Sequence, residues 1–208
     1  GCEVIHLGHD RGADEVARAA IQEDAHCIAI TSYQGGAVEM FTHTKQILDK
    51  SDFGHVCLVG GGGGTILPNE IQHLLDSNIA KIYSPEDGRE LGLTGMVSDA
   101  IGRASKNNLL DPRRFESLKE PITANNHPSV SKLLTLAENA NEDIFNEILE
   151  KVRSNDGSTC PVVGLTGTGG AGKSSLTDEL MLRIQRDNPG TKIALLATDP
   201  TRKRTGGA

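Results

Sequence analysis

Large aromatic side chains are scarce in this sequence of 208 residues, which has no tryptophan, two tyrosines and four phenylalanines. Hydrophobic residues nevertheless make up 37% of the chain, enough for one large core or two small ones. Such cores must be built mainly from valine, isoleucine, leucine and alanine. The 24 glycines cluster at predicted turns and follow no repeat, which excludes a collagen-like or low-complexity chain.

The sequence also lacks the features of membrane proteins and nucleic-acid-binding proteins. No apolar run approaches the roughly 20 residues of a membrane-spanning helix, and the first residues do not resemble a secretory signal. The net charge of -7 argues against a nucleic-acid surface, because neutralising phosphates requires clustered cations. We therefore expect a cytoplasmic protein that contacts neither membrane nor nucleic acid.

Cysteine pairs with the spacing of a metal site are missing as well. Cys2, Cys27, Cys57 and Cys160 each lie in or beside an apolar, strand-like segment, and no C-x-x-C occurs. We interpret them as small buried hydrophobic residues in a reducing compartment, and not as zinc ligands.

The most specific motif lies in residues 161–175, PVVGLTGTGGAGKSS. Residues 167–174 match G-x-x-x-x-G-K-[ST] without mismatch, between an apolar strand-like run and a helical pattern. Glycine permits the close approach through which backbone N–H groups surround a phosphate, and a helix beginning near Gly172 adds its positive end. Lys173 is expected to reach the outer phosphates. A glycine-rich turn without a ligand is the alternative. The predicted nucleotide-binding residues are Gly170, Ala171, Gly172, Lys173, Ser174 and Ser175.

A magnesium site is predicted next to this motif. The Ser174 hydroxyl is its first expected ligand. Residues 191–197 (TKIALLA) predict a second buried strand that ends at Thr198 and Asp199. An acid at the tip of the neighbouring strand can bind Mg²⁺ directly or through water. Helix capping by Asp199, before Pro200, is the alternative.

The first half of the chain alternates strand and helix patterns. Strands are predicted at residues 2–7, 27–31, 55–59 and 81–84, and helices at 13–24, 37–50, 68–76 and 88–105. Continuous apolar strands separated by helices indicate a doubly wound parallel sheet of the α/β class, flavodoxin-like. Ligands of such sheets bind beyond the carboxyl ends of the strands. The glycine run at residues 60–64 follows one of these ends and offers bare backbone to a large flat ligand, or else forms a flexible turn.

The stretch that follows the first half indicates a domain boundary. Residues 106–128 are polar and carry three prolines, so we predict a linker, with residues 111–115 (DPRRF) as an alternative docking segment. Ser129 is predicted to cap a helical segment that runs to about residue 152. The predicted domains are therefore 1–105 and 129–208, joined by 106–128.

Residues 3–40, 56–71 and 81–88 resemble the cobalamin-binding domain of adenosylcobalamin-dependent acyl-CoA mutases. The match is best with the fused isobutyryl-CoA mutases, in which that domain is joined to a MeaB-type G-protein chaperone, in the order found here. The resemblance implies a channel for the nucleotide tail of the cofactor. Its lining residues would be Ser32, Tyr33, Gly60, Gly61, Gly62 and Gly63.

The signature of this family, D-x-H-x-x-G, is not met at His9, because Leu7 stands where the signature has aspartate. That aspartate would orient the imidazole as a partner behind the cobalt ligand. We therefore expect the first strand, its helix and the axial histidine to precede residue 1, so that the chain is a fragment. His6, His26 and His55 are interpreted as packing or surface residues.

The resemblance further implies the chemistry. Adenosylcobalamin would start a radical isomerisation of isobutyryl-CoA to n-butyryl-CoA, with the acyl-CoA bound by a mutase barrel outside these residues. Mg²⁺·GTP hydrolysis, with Lys173 as catalytic residue and Ser174, Thr198 and Asp199 at the metal, would gate cofactor loading. A homodimer is implied for the full-length protein.

Two alternatives remain open. The first half could be a non-catalytic cobalamin carrier that serves a separate methylmalonyl-CoA-type mutase together with its GTPase. It could also be a signalling receiver joined to an ATPase, although a receiver needs an aspartate at a central strand end, where Ser32 and Gly60 stand.

Overall fold

The computed structural model describes residues 2–111, 114, 126–139, 142–154 and 160–197. By its internal contacts the chain divides into two compact units, Gly1–Gly157 and Ser158–Ala208. The domain bounds predicted from the sequence place the division earlier in the chain, and they stay a prediction.

The first unit is built on a parallel sheet of three strands. They are β1 (Cys27–Thr31), β2 (Cys57–Gly61) and β3 (Lys81–Tyr83), in the order β1-β2-β3. Four helices alternate with them: α1 (Ala13–Gln22), α2 (Ala37–Lys50), α3 (Pro68–Asp76) and α4 (Pro85–Ala104). The predicted α/β class with a parallel sheet is confirmed.

The core of the first unit is mainly aliphatic, as the composition predicts. Phe41 and Phe53 supply its aromatic part, and both side chains are completely buried. The aliphatic residues of the core come from α1 to α3 and all three strands, and include Val16, Ile21, Ile28, Leu48, Leu58, Leu74 and Ile82.

Close packing in this core occurs at Gly60, in β2. A Cβ atom at this position would overlap both the Phe41 ring and the backbone oxygen of Ile30. Gly60 pairs in register with Ile30 of β1 and Ile82 of β3, so it lies in the middle of the sheet. Its missing side chain therefore lets α2 approach the sheet closely.

Helix α4 begins with a polar cap. The Ser84 hydroxyl accepts a hydrogen bond from the Asp87 N–H (3.2 Å), and the Asp87 carboxylate accepts one from the Ser84 N–H (2.7 Å). Asp87 also accepts a hydrogen bond from Lys81 at 2.8 Å, which is the main reason that its pKa is lowered. This cap starts the helix three residues earlier than the sequence predicts. Gly92, at φ 63° and ψ 177°, breaks the helix internally.

Several predicted strands are absent from the described residues. Residues 2–7 pair with no strand, and Val4 is 79% exposed. In the second unit, residues 161–166 and 191–197 are likewise not strands, and Leu196 is 94% exposed. A strand exists only when its backbone groups are bonded to a neighbouring strand, which an apolar run alone does not provide.

The cysteine prediction is correct in part. Cys57 is buried and Cys27 is half-buried, both in strands. Cys2 and Cys160 are exposed because the segments around them are not part of a sheet in the described residues. All four are free thiols.

Two helices follow the predicted linker, α5 (His127–Asn139) and α6 (Glu142–Ser154). They pack on each other through Leu133, Leu136 and Ile148. Ser129 is not the cap, because it lies inside α5 and donates its backbone N–H to the Asn126 carboxamide oxygen at 3.2 Å. The cap is therefore Asn126, three residues earlier.

Charged side chains fix the segment after α4 and helix α5 to the rest of the first unit. Arg114 donates to both carboxylate oxygens of Asp24, at 3.0 and 2.6 Å, and Asp24 is only 2% exposed. Lys132 of α5 donates to the Asp52 carboxylate at 2.7 Å and lies over the Phe53 ring, 4.8 Å from its centre. Arg114 therefore docks within the first unit, while residues 112, 113 and 115 lie outside the described residues. The alternative of a docking segment between domains stays a prediction.

No helix among the described residues is long and apolar enough to cross a membrane.

The close contact at Gly60 predicts that one added methyl group lowers the stability of the fold considerably. Gly60→Ala should lower the free energy of unfolding by about 1–3 kcal/mol, since overpacking a core forces backbone and side chains apart. Gly102→Ala is the matched control, because that glycine lies exposed in α4 with no atom near its missing Cβ. Thermal unfolding followed by circular dichroism measures both. Equal melting temperatures for the two variants would contradict the packing described.

The Asp24–Arg114 pair predicts a strong dependence of stability on a single linker residue. Arg114→Ala should destabilise the first unit by about 3–5 kcal/mol, because it leaves a buried carboxylate without its bidentate partner. Arg89→Ala removes an exposed ion pair with Glu86 (3.7 Å) and should change stability by less than about 1 kcal/mol. Urea denaturation compares the two variants, and a similar midpoint for both would show that the pair is not structural.

Candidate functional site

The predicted phosphate-binding loop lies at the start of a helix in the second unit. Helix α7 spans Lys173–Asp187, and Gly172 directly precedes it. Gly170 and Gly172 have φ of 76° and 84°, in the left-handed region that favours glycine. No heavy atom lies within 4 Å of the Cβ position of either residue, so these glycines serve the backbone conformation and not close packing.

The Lys173 side chain folds back over this loop. Its ammonium donates to the backbone oxygens of Gly167 and Thr168, both at 2.8 Å, and the Ala171 N–H donates to Thr168 at 3.3 Å. The loop therefore closes around the Lys173 amine, which this motif is expected to direct to the phosphates. The first turn of α7 contains no acidic residue, so no carboxylate within that turn neutralises the positive helix end.

The predicted magnesium ligands are described only in part. Ser174 lies exposed in the first turn of α7, as does Ser175. Thr198 and Asp199 lie outside the described residues. Among the residues that are described, no group of three His, Cys, Asp or Glu side chains could hold a metal ion. The magnesium site stays a prediction.

In the first unit, the carboxyl ends of the strands bring the other predicted residues together. Thr31, Gly61 and Tyr83 are aligned across the three strands. Ser32 follows β1 and donates its N–H to the Gly61 oxygen at 3.0 Å. The Ser32 hydroxyl makes only a long contact, 3.4 Å, to the Gln34 oxygen. We call this group, residues 32–33 and 60–64, the glycine edge.

The glycines of this edge are needed for packing within the protein. A Cβ at Gly62 would lie 2.5 Å from the Ser32 oxygen and 2.6 Å from the Thr65 hydroxyl. At Gly63, where φ is 56°, it would lie 2.5 Å from a carbon of the Tyr33 ring. The expectation of bare backbone along the whole run is therefore wrong in this respect: Gly60 and Gly62 are buried, and Tyr33, itself 71% exposed, lies against Gly63.

The histidines lie where the sequence places them, away from a common centre. His9 is exposed, and its ring contacts the Asp10 carboxylate at 2.7 Å. His6 and His26 are exposed. His55 is half-buried, 3.4 Å from the Arg114 guanidinium, and its pKa is lowered by burial and then by the Arg114 charge.

Sequence reasoning missed one residue that contacts the glycine edge, Thr65. Its hydroxyl donates toward the Gly62 oxygen at 2.7 Å and the Ser32 oxygen at 3.2 Å, so it joins the loops after β1 and β2. The position of Thr65 in the sequence could have indicated this role, because a threonine directly after a glycine run can donate a hydrogen bond from its hydroxyl back to the loop.

Comparison with known proteins assigns a family to the later part of the chain, from a residue inside the first unit onwards. Residues 130–208 match the family described as Methylmalonyl Co-A mutase-associated GTPase MeaB. A putative GTPase from Pyrococcus horikoshii is 38% identical over 94 residues, which are 45% of this chain and 28% of that protein.

The whole chain aligns with longer proteins. Fused isobutyryl-CoA mutases from Geobacillus kaustophilus and Cupriavidus metallidurans are 42% and 43% identical to it, over 100% of this chain. In each case the chain spans 19% of the relative's length. The chain is therefore a relative of the fused isobutyryl-CoA mutases, with a MeaB-type segment at residues 130–208.

Proposed function

We propose that the second unit binds the phosphates of GTP and takes part in its hydrolysis. The observation that carries this proposal is the loop of residues 167–174 at the start of α7, with left-handed Gly170 and Gly172 and with Lys173 over its carbonyls. A helix start with glycines of this geometry offers N–H groups and a positive dipole end to an anion. The preference for guanine is supported only by the MeaB and GTPase relatives.

Lys173 changes partners in this proposal. Its ammonium leaves the Gly167 and Thr168 oxygens, which carry only partial charge, and turns to the outer phosphates, which carry full charge. The exposed Ser174 hydroxyl fits one ligand position of Mg²⁺, and Asp199 and Thr198 are proposed to complete the protein side of that site. Bound Mg²⁺ supplies charge neutralisation at the phosphates.

For the first unit we propose a flavodoxin-like cobalamin-binding domain, with the cofactor at the glycine edge. The residues fit such a ligand in two respects: the Ser32 hydroxyl makes no short hydrogen bond in the described residues, and Tyr33 is 71% exposed beside Gly63. Gly60, Gly61 and Gly62 shape the edge by allowing the loops to close tightly. The edge lies at the carboxyl ends of parallel strands, where ligands of doubly wound sheets bind.

The complete protein is then a fused mutase in which GTP hydrolysis gates cofactor loading. Adenosylcobalamin would supply the radical that isomerises isobutyryl-CoA to n-butyryl-CoA, on a barrel outside these residues. This proposal includes a cytoplasmic homodimer. A cobalamin carrier for a separate mutase would have the same two sites, and it differs by forming no n-butyryl-CoA when the purified full-length protein is given cofactor and isobutyryl-CoA.

Removal of the loop amine should weaken nucleotide binding. Lys173→Ala is expected to weaken Mg²⁺·GTP binding by roughly 10- to 100-fold, since a hydrogen bond to a charged group is worth about 1.5–3 kcal/mol. Lys192→Ala, at an exposed lysine of the same unit, should bind as the unchanged protein does. Fluorescence of a labelled GTP analogue measures the affinity. Equal affinities of the two variants would exclude the proposed phosphate site.

Changes at the glycine edge should affect cobalamin alone. In the full-length protein, the double change of Ser32→Ala and Tyr33→Ala should raise the concentration of adenosylcobalamin needed for half-saturation several-fold, with GTP binding unchanged. Ser105→Ala is the control, because its hydroxyl also bonds a backbone oxygen (Gly102, 3.1 Å) but lies after α4. Visible absorption spectra follow the titration. If the double variant and the control load cobalamin equally, the cofactor does not bind at this edge.

A further inference from the structure

Two cysteines lie side by side at the amino ends of neighbouring strands. Cys27 is the first residue of β1 and Cys57 the first residue of β2, and the two are register partners in the parallel ladder. Residues paired in this way point to the same face of the sheet. Neighbouring strands lie about 4.8 Å apart, within the range of Cα separations, about 4.4–6.8 Å, that a disulfide can span.

The two thiols differ in their protonation. A hydrogen bond from Cys27, helped by the charge of Arg103 and opposed by burial, lowers the pKa of Cys57 to about 7. The same hydrogen bond, together with burial, raises the pKa of Cys27. The nearby charged groups on α4 and just beyond it are Arg103, Asp99 and Lys106. The lowered pKa of Cys57 favours its thiolate, and the raised pKa of Cys27 favours its thiol.

This pair lies apart from the glycine edge of the same unit. Each strand has five residues, and the glycine edge lies at their carboxyl ends, whereas the thiols lie at the amino ends. Cys57 is 8% exposed and Cys27 is half-buried, so a small oxidant reaches the pair more readily than a protein thiol does.

We propose that Cys27 and Cys57 form a redox-active pair that a peroxide converts into an intramolecular disulfide. The Cys57 sulfur attacks one peroxide oxygen, the O–O bond breaks, and one water leaves after protonation. The Cys27 sulfur then attacks the resulting sulfenic acid, its proton leaves with the displaced hydroxide as a second water, and the S–S bond forms. In total, two thiols and one hydrogen peroxide give one disulfide and two waters, so the sulfur atoms are oxidised and the peroxide is reduced.

Peptide mapping of the full chain after treatment with hydrogen peroxide tests this proposal. The exposed thiols are first removed by Cys2→Ser and Cys160→Ser, so that they cannot form other disulfides. We expect a cross-linked pair of peptides containing Cys27 and Cys57, a mass lower by two hydrogen atoms, and loss of alkylation of both, all reversed by dithiothreitol. The rate of the reaction should rise with pH as Cys57 loses its proton, and this rise should come at a lower pH than for an ordinary cysteine, because the pKa of Cys57 is lowered.

A further substitution of Cys27→Ser separates a pair from two independent thiols. In this variant Cys57 should stop at the sulfenic acid, which dimedone traps, and no cross-link forms. If the protein with both cysteines yields no cross-linked peptide, or if each thiol passes separately to the sulfinic acid, the proposal is wrong. The mapping of the protein with both cysteines decides this even if the variant does not fold.

Discussion

The contact of the Phe41 ring with the backbone of Gly60 is the constraint on which the first unit depends. The ring is completely buried, and any side chain at Gly60 would overlap both the ring and the Ile30 oxygen. The pairing of β1 with β2 and the approach of α2 to the sheet therefore require the same missing side chain. As a result the loops after both strands emerge side by side, and Ser32 bonds to Gly61 directly. The glycine edge is a consequence of how the core packs.

Those parts of the fold that depend on residues close together in the sequence could be predicted. The bounds predicted for α2 and α3 agree with the structure, and Pro68 stands in the first turn of α3 as its fixed φ favours. The start of α7 after Gly172 follows from the phosphate-loop motif in the same way. The cap of α5 was placed at the wrong residue because Asn126 and Ser129 are both good capping residues, and their sequence order does not tell which side chain meets the free N–H groups.

Features that depend on distant residues could not be predicted. The strand patterns at residues 2–7 and 161–166 are apolar enough for a sheet. A strand also needs a partner strand, and the pattern of one segment does not identify that partner. Asp24 and Arg114 are 90 residues apart, and the sequence around either residue does not indicate that the two form a pair. Arg114 stands in a stretch whose composition suits a linker as well as a docked segment. The burial of Asp24 favours the docked segment, because a carboxylate that is 2% exposed requires a partner that supplies two hydrogen bonds.

The thiol pair and the glycine edge lie at opposite ends of β1 and β2, and the length of these strands keeps them separate. Over a five-residue strand the amino and carboxyl ends are about 13 Å apart, at roughly 3.3 Å per residue. A disulfide between Cys27 and Cys57 would join strands whose spacing already suits it, so its formation requires no sliding of one strand along the other. The register at Gly60, held by Phe41, lies between the two ends and resists such sliding. Oxidation at the amino ends would therefore stiffen the sheet without moving Ser32 or Gly61 at the other end of these strands.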